Sequence, residues 1–249
     1  MFDYNKRTYI MGILNVTPDS FSDGGKFNSV DEALKHALEM VEEGADIIDL
    51  GGESTRPGHI YVDVDYVDVD EELKRVIPVV KKLKEELDTP ISVDTYKAKV
   101  ADESLKLGAE MINDIWGLRK DKDMANVIAK HNAYVCIMHN QDGTEYDKDI
   151  IESIKEFLLE SVDIAIEAGI DKNKIVLDPG IGFGKTYEQN LEVLKRLGEL
   201  KTLGYPILLG TSRKSVIGNT LDLPPQERVE GTIATTVLGI RDGVDIVMT

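Results

Sequence analysis

Eight short apolar runs, separated by amphipathic stretches, constrain the fold of this chain more than any other feature. The runs are rich in Ile, Val and Leu, and they span residues 9–14, 46–50, 91–93, 111–112, 134–138, 174–177, 206–209 and 245–248. Continuous apolar runs of this length are typical of strands that are buried on both faces, as in a parallel sheet. The pattern therefore predicts a sheet of eight parallel strands.

The stretches between these runs carry the spacing of amphipathic helices. In the first two intervals apolar side chains recur every three or four residues, at Ala33, Leu34, Ala37, Leu38 and Val41, and at Leu73, Val76, Ile77, Val80 and Leu83. The first helix is predicted to begin near Val30, and others lie near residues 97–107, 121–131, 149–168, 187–197 and 225–240.

Strand and helix alternate seven times before a final strand. This order favours a TIM (β/α)8 barrel over an open doubly wound sheet. We expect one barrel domain over residues 1–249, and no eighth helix follows the last run in the sequence as given.

The composition of the chain excludes some classes of binding partner. The formal net charge is -17, which argues against nucleic acid or an anionic membrane as a partner and requires local positive groups around any anionic ligand. The single cysteine, Cys136, lies in an apolar run and cannot form a disulfide within the chain, which fits a reducing cytoplasm. No uncharged apolar run reaches the length that a membrane span needs.

Polar side chains follow most of the predicted strands, where a TIM barrel has its active site. Asp94, Asn113 and Asp178 come directly after buried runs, where an unpaired carboxylate is costly. Together they could accept hydrogen bonds from a flat heterocycle with several N–H groups. For Asp178 an alternative is open, because its carboxylate could simply cap the turn at Pro179 and Gly180.

Other strand ends supply positive charge and an oxygen ligand. Arg56, Arg213 and Lys214 could bind an anionic group, and the side-chain oxygen of Asn15 suits Mg²⁺, which prefers few protein ligands together with water and phosphate. His139, after the fifth run, is interpreted as a residue that supports the groups touching the ligand. The acidic residues between Asp63 and Glu72 are interpreted as the solvated start of a helix.

The loop after the first run, Asn15-Val16-Thr17-Pro18-Asp19-Ser20-Phe21-Ser22-Asp23-Gly24-Gly25, resembles the first signature of dihydropteroate synthase, the family that joins a pterin to 4-aminobenzoate. The resemblance extends from about residue 9 to residue 247. It is also carried by Gly52-Glu53-Ser54-Thr55-Arg56-Pro57-Gly58, Ile112-Asn113-Asp114, Asp178-Pro179-Gly180-Ile181-Gly182-Phe183-Gly184-Lys185 and Ser212-Arg213-Lys214-Ser215.

This resemblance implies a role for each matching residue. The pterin would be held by Asp94, Asn113, Asp178 and Lys214, and Mg²⁺ on its pyrophosphate by Asn15. Thr55 and Arg56 would contact the pyrophosphate or order the second loop. The 4-aminobenzoate pocket would be formed by Thr17, Pro18, Phe183, Lys214 and Ser215. The implied catalytic residues are Arg56, Lys214 and Asp23, the last of which would stabilise the positive charge that develops on the pterin.

The resemblance also sets expectations for motion and assembly. The loops at residues 17–25 and 53–58 would be mobile in the free protein and close over the bound substrates. The family would use small molecules as its partners, and a homodimer is one assembly that it leaves open.

One departure from the family pattern concerns the last strand. Met248 stands where the family has an anion-binding Arg, so we expect pterin to bind nearly normally and pyrophosphate to bind less well. Two alternatives therefore stay open beside a synthase: a methyltetrahydrofolate:corrinoid methyltransferase, which would share the pterin carboxylates, and a homologue that binds pterin without turnover.

Overall fold

The computed structural model describes residues 2–4, 6–16, 26–53 and 67–249. Within them the chain forms a TIM barrel, as the sequence predicts, with eight parallel strands ringed by helices. The strands are β1 (Tyr9–Asn15), β2 (Ile47–Gly51), β3 (Ile91–Asp94), β4 (Met111–Asp114), β5 (Tyr134–Met138), β6 (Ile175–Asp178), β7 (Leu208–Gly210) and β8 (Ile246–Met248).

The described residues also form eight α-helices. They are α1 (Lys26–Glu42), α2 (Val69–Glu86), α3 (Ala98–Lys106), α4 (Met124–Lys130), α5 (Ile150–Glu167), α6 (Tyr187–Lys195), α7 (Ser215–Leu221) and α8 (Val229–Arg241). The predicted seventh helix is α8, which precedes β8, and no helix follows β8 in the chain as given. None of the helices in the described ranges is long and apolar enough to cross a membrane.

Two helix predictions need correction. The first helix begins at Lys26, earlier than the Val30 predicted from its apolar spacing. The short helix α7 was missed, because its seven residues include Gly218 and the β-branched Val216 and Ile217, which weaken a helix prediction.

Strand pairing closes the barrel. Each strand pairs in parallel with its neighbours in chain order from β1 to β6, and β8 lies between β1 and β7. A single bridge between Leu177 and Ile207, supported by the Leu177 N–H donating to Pro206 O at 2.9 Å, joins β6 to the start of β7. All eight strands therefore end at the same mouth.

The barrel interior changes from apolar to polar along its axis. Its lower layer is a buried cluster of Met11, Ile47, Met111, Cys136, Val176, Leu208 and Ile246, and Phe2, Tyr4 and Tyr134 pack against this layer. Side chains alternate between the two faces of a strand, so Asp49, Asn113 and Asp178 share the interior face with apolar residues two positions earlier in β2, β4 and β6. The polar groups thus lie at the mouth.

A buried ionic cluster fastens β2 to α2 and to the start of α3. The ammonium of Lys97 contacts the carboxylates of Glu53 and Glu72, and Tyr96 Oη donates to Glu53 at 3.2 Å. The interpretation of the acidic stretch as wholly solvated is therefore wrong for Glu72, whose residue is 1% exposed. Burial raises the pKa of Glu72, and the adjacent Lys97 ammonium opposes that rise.

We expect Lys97→Met to lower the free energy of unfolding by about 3–5 kcal/mol at pH 7.5, because it leaves two buried carboxylates without a cation. Burial raises the pKa of Glu72 in the folded state, so the loss should shrink at pH 5.5, where this carboxylate takes up a proton more readily than in the unfolded chain. Urea unfolding at the two pH values measures both effects. Lys99→Met, which removes an exposed pair with Asp70, is the control and should change little. An equal loss of unfolding free energy at the two pH values would contradict this account of the cluster.

Candidate active site

Three predicted acceptor residues, Asp94, Asn113 and Asp178, line one mouth of the barrel. Asp94 is the last residue of β3 and pairs in register with Asn113 of β4, and Asp178 is the last residue of β6. The charges of Asp178 and Asp94 both act on Lys214, which follows β7. The structure thus brings together acceptors from three strands and one cation.

The side-chain amide of Asn113 has one orientation, with its donor and its acceptor on defined sides. Its Nδ2 donates to Asp49 Oδ2 at 3.3 Å, and its buried Oδ1 accepts no hydrogen bond from any described residue. Burial raises the pKa of Asp49 to about 6, opposed by the side chains of Ser92 and Asn113, so this carboxylate is mostly ionised at neutral pH. An ionised carboxylate accepts only, which leaves Asn113 Oδ1 as an acceptor for a ligand N–H group. Asp49 was missed from the sequence because it lies inside an apolar run.

Asp178 does cap the turn that follows β6. Its Oδ1 accepts from Gly180 N–H at 2.7 Å, as the turn-cap alternative predicts. Burial raises the pKa of Asp178, and the ammonium groups of Lys214 and Lys185 oppose the rise. A second carboxylate oxygen remains for other partners, so the cap does not use up the group.

Lys214, in the loop after β7, lies against the turn that follows β6. Its Nζ donates to Ile181 O at 2.6 Å and sits 4.9 Å from the centre of the Phe183 ring. Burial lowers the pKa of Lys214, while the charges of Asp178 and Asp94 raise it. The ammonium therefore links the strand-end carboxylates to the aromatic side chain of the turn.

An apolar surface adjoins these polar groups. Phe183 packs in one small cluster with Ile115 and Met138, and Tyr96 and Trp116 lie against it. Flat apolar walls beside convergent acceptors are typical of a site that holds an aromatic heterocycle.

A buried lysine beneath the turn was missed from the sequence. Lys185 Nζ contacts His139 Nδ1, Gly180 O and Phe183 O, each at 2.9 Å. Burial lowers the pKa of Lys185 to about 7, and burial together with the Lys185 charge lowers the pKa of His139 to about 2. The available signal was a lysine closing a glycine-rich turn, with a histidine at the neighbouring strand end.

Arg213 and Ser215 lie at the rim with exposed side chains. Arg213 has a left-handed backbone, with φ of 53°, and its N–H donates to Thr232 Oγ1 at 3.0 Å. Its carbonyl accepts from Arg228 Nη1 at 2.9 Å. Arg228 and Thr232, also missed from the sequence, thus hold the backbone of the loop that carries Lys214.

The end of β1 could hold a hydrated cation. A Cβ atom added to Gly51 would lie 3.2 Å from Asn15 Oδ1, so the glycine leaves space for this oxygen between β1 and β2. The part of the chain that the structure describes has no cluster of three or more His, Cys, Asp or Glu side chains suited to a metal. One amide oxygen fits Mg²⁺, which takes its remaining ligands from water and phosphate.

Five predicted site residues lie outside the described residues: Thr17, Pro18, Asp23, Thr55 and Arg56. The two loops that are expected to close over the substrates therefore also lie almost wholly outside the described residues. The base of the second loop is described up to Glu53. Arg75 Nη1 donates to Gly52 O at 3.0 Å, so α2 holds the point where that loop begins.

Comparison with known proteins agrees with this geometry. Residues 11–249 match the family described as pterin binding enzyme. The dihydropteroate synthase of Clostridium beijerinckii is 60% identical over 247 residues, which cover 99% of this chain and 90% of that protein.

Solved structures give the same result. The dihydropteroate synthase of Clostridium difficile, crystallised in the presence of pteroic acid, is 73% identical with a TM-score of 0.96, covering 100% of this chain and 92% of that one. The Xanthomonas albilineans enzyme with 4-aminobenzoic acid is 41% identical with a TM-score of 0.91, covering 98% and 87% respectively. The chain belongs to the pterin-binding enzyme family, in its dihydropteroate synthase group.

Proposed function

We propose that the barrel mouth binds a pterin through Asp94, Asn113, Asp178 and Lys214 and catalyses the dihydropteroate synthase reaction there. The observation that carries this proposal is the convergence of strand-end acceptors beside an apolar wall, including Asn113 Oδ1, which has no partner among the described residues. A pterin presents several N–H groups along one edge and a flat ring face, which matches both features.

The reaction condenses 6-hydroxymethyl-7,8-dihydropterin pyrophosphate with 4-aminobenzoate. The C–O bond to pyrophosphate breaks and its electron pair leaves with pyrophosphate, the amine nitrogen bonds to the same methylene carbon, and one amine proton passes to water. The products are 7,8-dihydropteroate and pyrophosphate. The protein supplies orientation and charge, and no covalent nucleophile is needed.

The second substrate is placed beside the turn after β6. We assign 4-aminobenzoate to Phe183, Lys214 and Ser215, joined by Thr17 and Pro18. Its carboxylate needs a cation in a protein of net charge -17, and Lys214 already lies 4.9 Å from the Phe183 ring. This pairing of a ring and an ammonium suits an aromatic acid. The relative from Xanthomonas albilineans, crystallised with 4-aminobenzoic acid, supports the assignment.

The pyrophosphate side is assigned by family membership. Asn15 would hold Mg²⁺ on the pyrophosphate, and Thr55, Arg56 and Arg213 would contact the phosphates. Bound Mg²⁺ supplies charge neutralisation to the leaving group. Asp23 would stabilise the positive charge that develops on the pterin as the bond breaks.

We further propose one barrel domain over residues 1–249, acting in the cytoplasm as a homodimer. The buried free thiol of Cys136 fits a reducing compartment. Helix α8 carries side chains between 44% and 58% exposed, a surface that a second copy could cover: Val229, Ile233, Val237, Leu238 and Ile240.

Turnover is tested by pyrophosphate release. We expect the protein with Mg²⁺ and the pterin pyrophosphate to release pyrophosphate only when 4-aminobenzoate is added, in a one-to-one ratio with dihydropteroate. A coupled phosphate assay and chromatography measure the two products. Binding of the pterin without any product would contradict the synthase assignment and support a homologue that only binds.

Pterin binding is tested by Asp94→Asn and Asp178→Asn. Each exchange keeps the shape of the side chain but presents a donor to ligand N–H groups, so calorimetry should show a loss of about 1.5–3 kcal/mol, roughly ten- to a hundredfold in Kd. The amide oxygen that the second exchange introduces can still cap Gly180, so folding should survive. Asp46→Asn, at the opposite end of the barrel, is the control and should leave Kd unchanged. Equal affinities for all four proteins would refute the acceptor roles.

The cation site is tested by Asn15→Ala. Calorimetric titration of Mg²⁺ into protein with pyrophosphate should show affinity reduced about tenfold or more, because a direct ligand is lost. Pterin without pyrophosphate should bind as in the wild type. An unchanged Mg²⁺ affinity would place the cation on other residues.

A further inference from the structure

The turn that carries Phe183 is held by hydrogen bonds from lysine and tyrosine side chains to its own carbonyls. Lys185 donates to Gly180 O and Phe183 O, Lys214 to Ile181 O, and Tyr146 Oη to Gly184 O at 2.8 Å. Four carbonyls in five residues therefore accept side-chain hydrogen bonds. Two of these bonds come from Lys185, which closes the turn, and two come from residues far from it in the chain.

Lys185 makes the largest share of these contacts and has no donor left for a ligand. Its ammonium carries three N–H groups, and three acceptors lie at 2.9 Å, the third being His139 Nδ1. The residue is 8% exposed. A cation used in this way positions the backbone and does not touch a substrate.

His139 keeps the lysine in place. Because its pKa is lowered to about 2, its ring stays neutral at working pH and Nδ1 can accept from the ammonium. The ring packs edge-on against Phe157 at 4.9 Å and lies parallel to Tyr146 at 6.1 Å. The acceptor is therefore fixed by aromatic neighbours.

The backbone of the turn is also closely packed. Gly180 has φ of +68°, and a Cβ atom there would lie 2.0 Å from His139 O. Gly184 has φ of +55°, and a Cβ atom there would lie 2.8 Å from Gln141 O. The segment after β5 and the turn after β6 thus fit together at two glycines.

The two substrates depend on this turn to different degrees. Asp94 and Asn113 belong to strands, and ladder pairing holds them in place. The pterin-binding residues that touch the turn, Asp178 and Lys214, hydrogen-bond to Gly180 N–H and Ile181 O and not to Phe183. Phe183 lies beyond the end of β6, so its position depends on the turn itself.

We infer that Lys185, held by His139, is a positioning residue that sets the affinity for 4-aminobenzoate through the turn carrying Phe183, with a smaller effect on pterin affinity. This inference rests on the proposed function, since it takes Phe183 as part of the 4-aminobenzoate pocket.

The test compares Lys185→Met with Lys195→Met, a matched loss of an exposed lysine on α6. Lys185→Met should raise KM for 4-aminobenzoate about tenfold, the size of one lost charged hydrogen bond, while kcat and the calorimetric Kd for pterin change less than about threefold. Lys195→Met should match the wild type. An unchanged KM, or a pterin Kd that rises as much as KM, overturns the inference.

A second pair of variants decides the matter if Lys185→Met fails to fold. His139→Leu removes the acceptor and should raise KM for 4-aminobenzoate, whereas His139→Gln supplies a carbonyl oxygen and should restore most of the affinity. Equal KM values for the two variants overturn the inference. Wild-type protein that binds neither substrate contradicts the proposed function, whereas an active wild type with an unaffected Lys185→Met contradicts only the role of Lys185.

Discussion

Charge balance at the barrel mouth is the constraint on which the site depends. Asp49, Asp94 and Asp178 lie in the interior of a protein that already carries a net charge of -17. Alongside burial, their charges help to raise the pKa of the Cys136 thiol in the apolar layer of the barrel. The Lys214 ammonium, in the loop after β7, offsets the charges of Asp178 and Asp94, and Lys185, after β6, makes a smaller contribution at Asp178. Without Lys214 these two carboxylates would tend to take up protons and lose their use as acceptors.

The barrel and the strand-end acceptors could be predicted because they follow from local patterns. Apolar runs buried on both faces define the strands, and a parallel barrel brings their carboxyl ends to one mouth. Asp94, Asn113 and Asp178 needed only their positions after these runs to be identified as candidates. The placement of Phe183 beside Lys214 needed the family resemblance, because no periodicity predicts the path of a turn.

The residues that were missed act through partners far away in the chain. Lys185 is 46 residues from His139, and Lys97 is 44 from Glu53, so their roles depend on contacts that only the folded chain creates. Glu72 looked solvated because acidic residues are common at helix starts, and its burial follows from the packing of α2 against α3. Helix α7 was missed because Gly218 and its β-branched residues weaken the helical signal.

The glycine contacts of the turn after β6 have an evolutionary consequence. Any side chain at Gly180 would collide with the carbonyl of His139, and its left-handed backbone disfavours other residues. Four neighbouring carbonyls accept hydrogen bonds from side chains, so a shift of the main chain would break several bonds at once. Substitutions around the 4-aminobenzoate site are therefore confined to side chains such as Phe183 and to the rim loops. Descendants of this enzyme would change ligand preference by substituting side chains while the backbone of the turn stays in place.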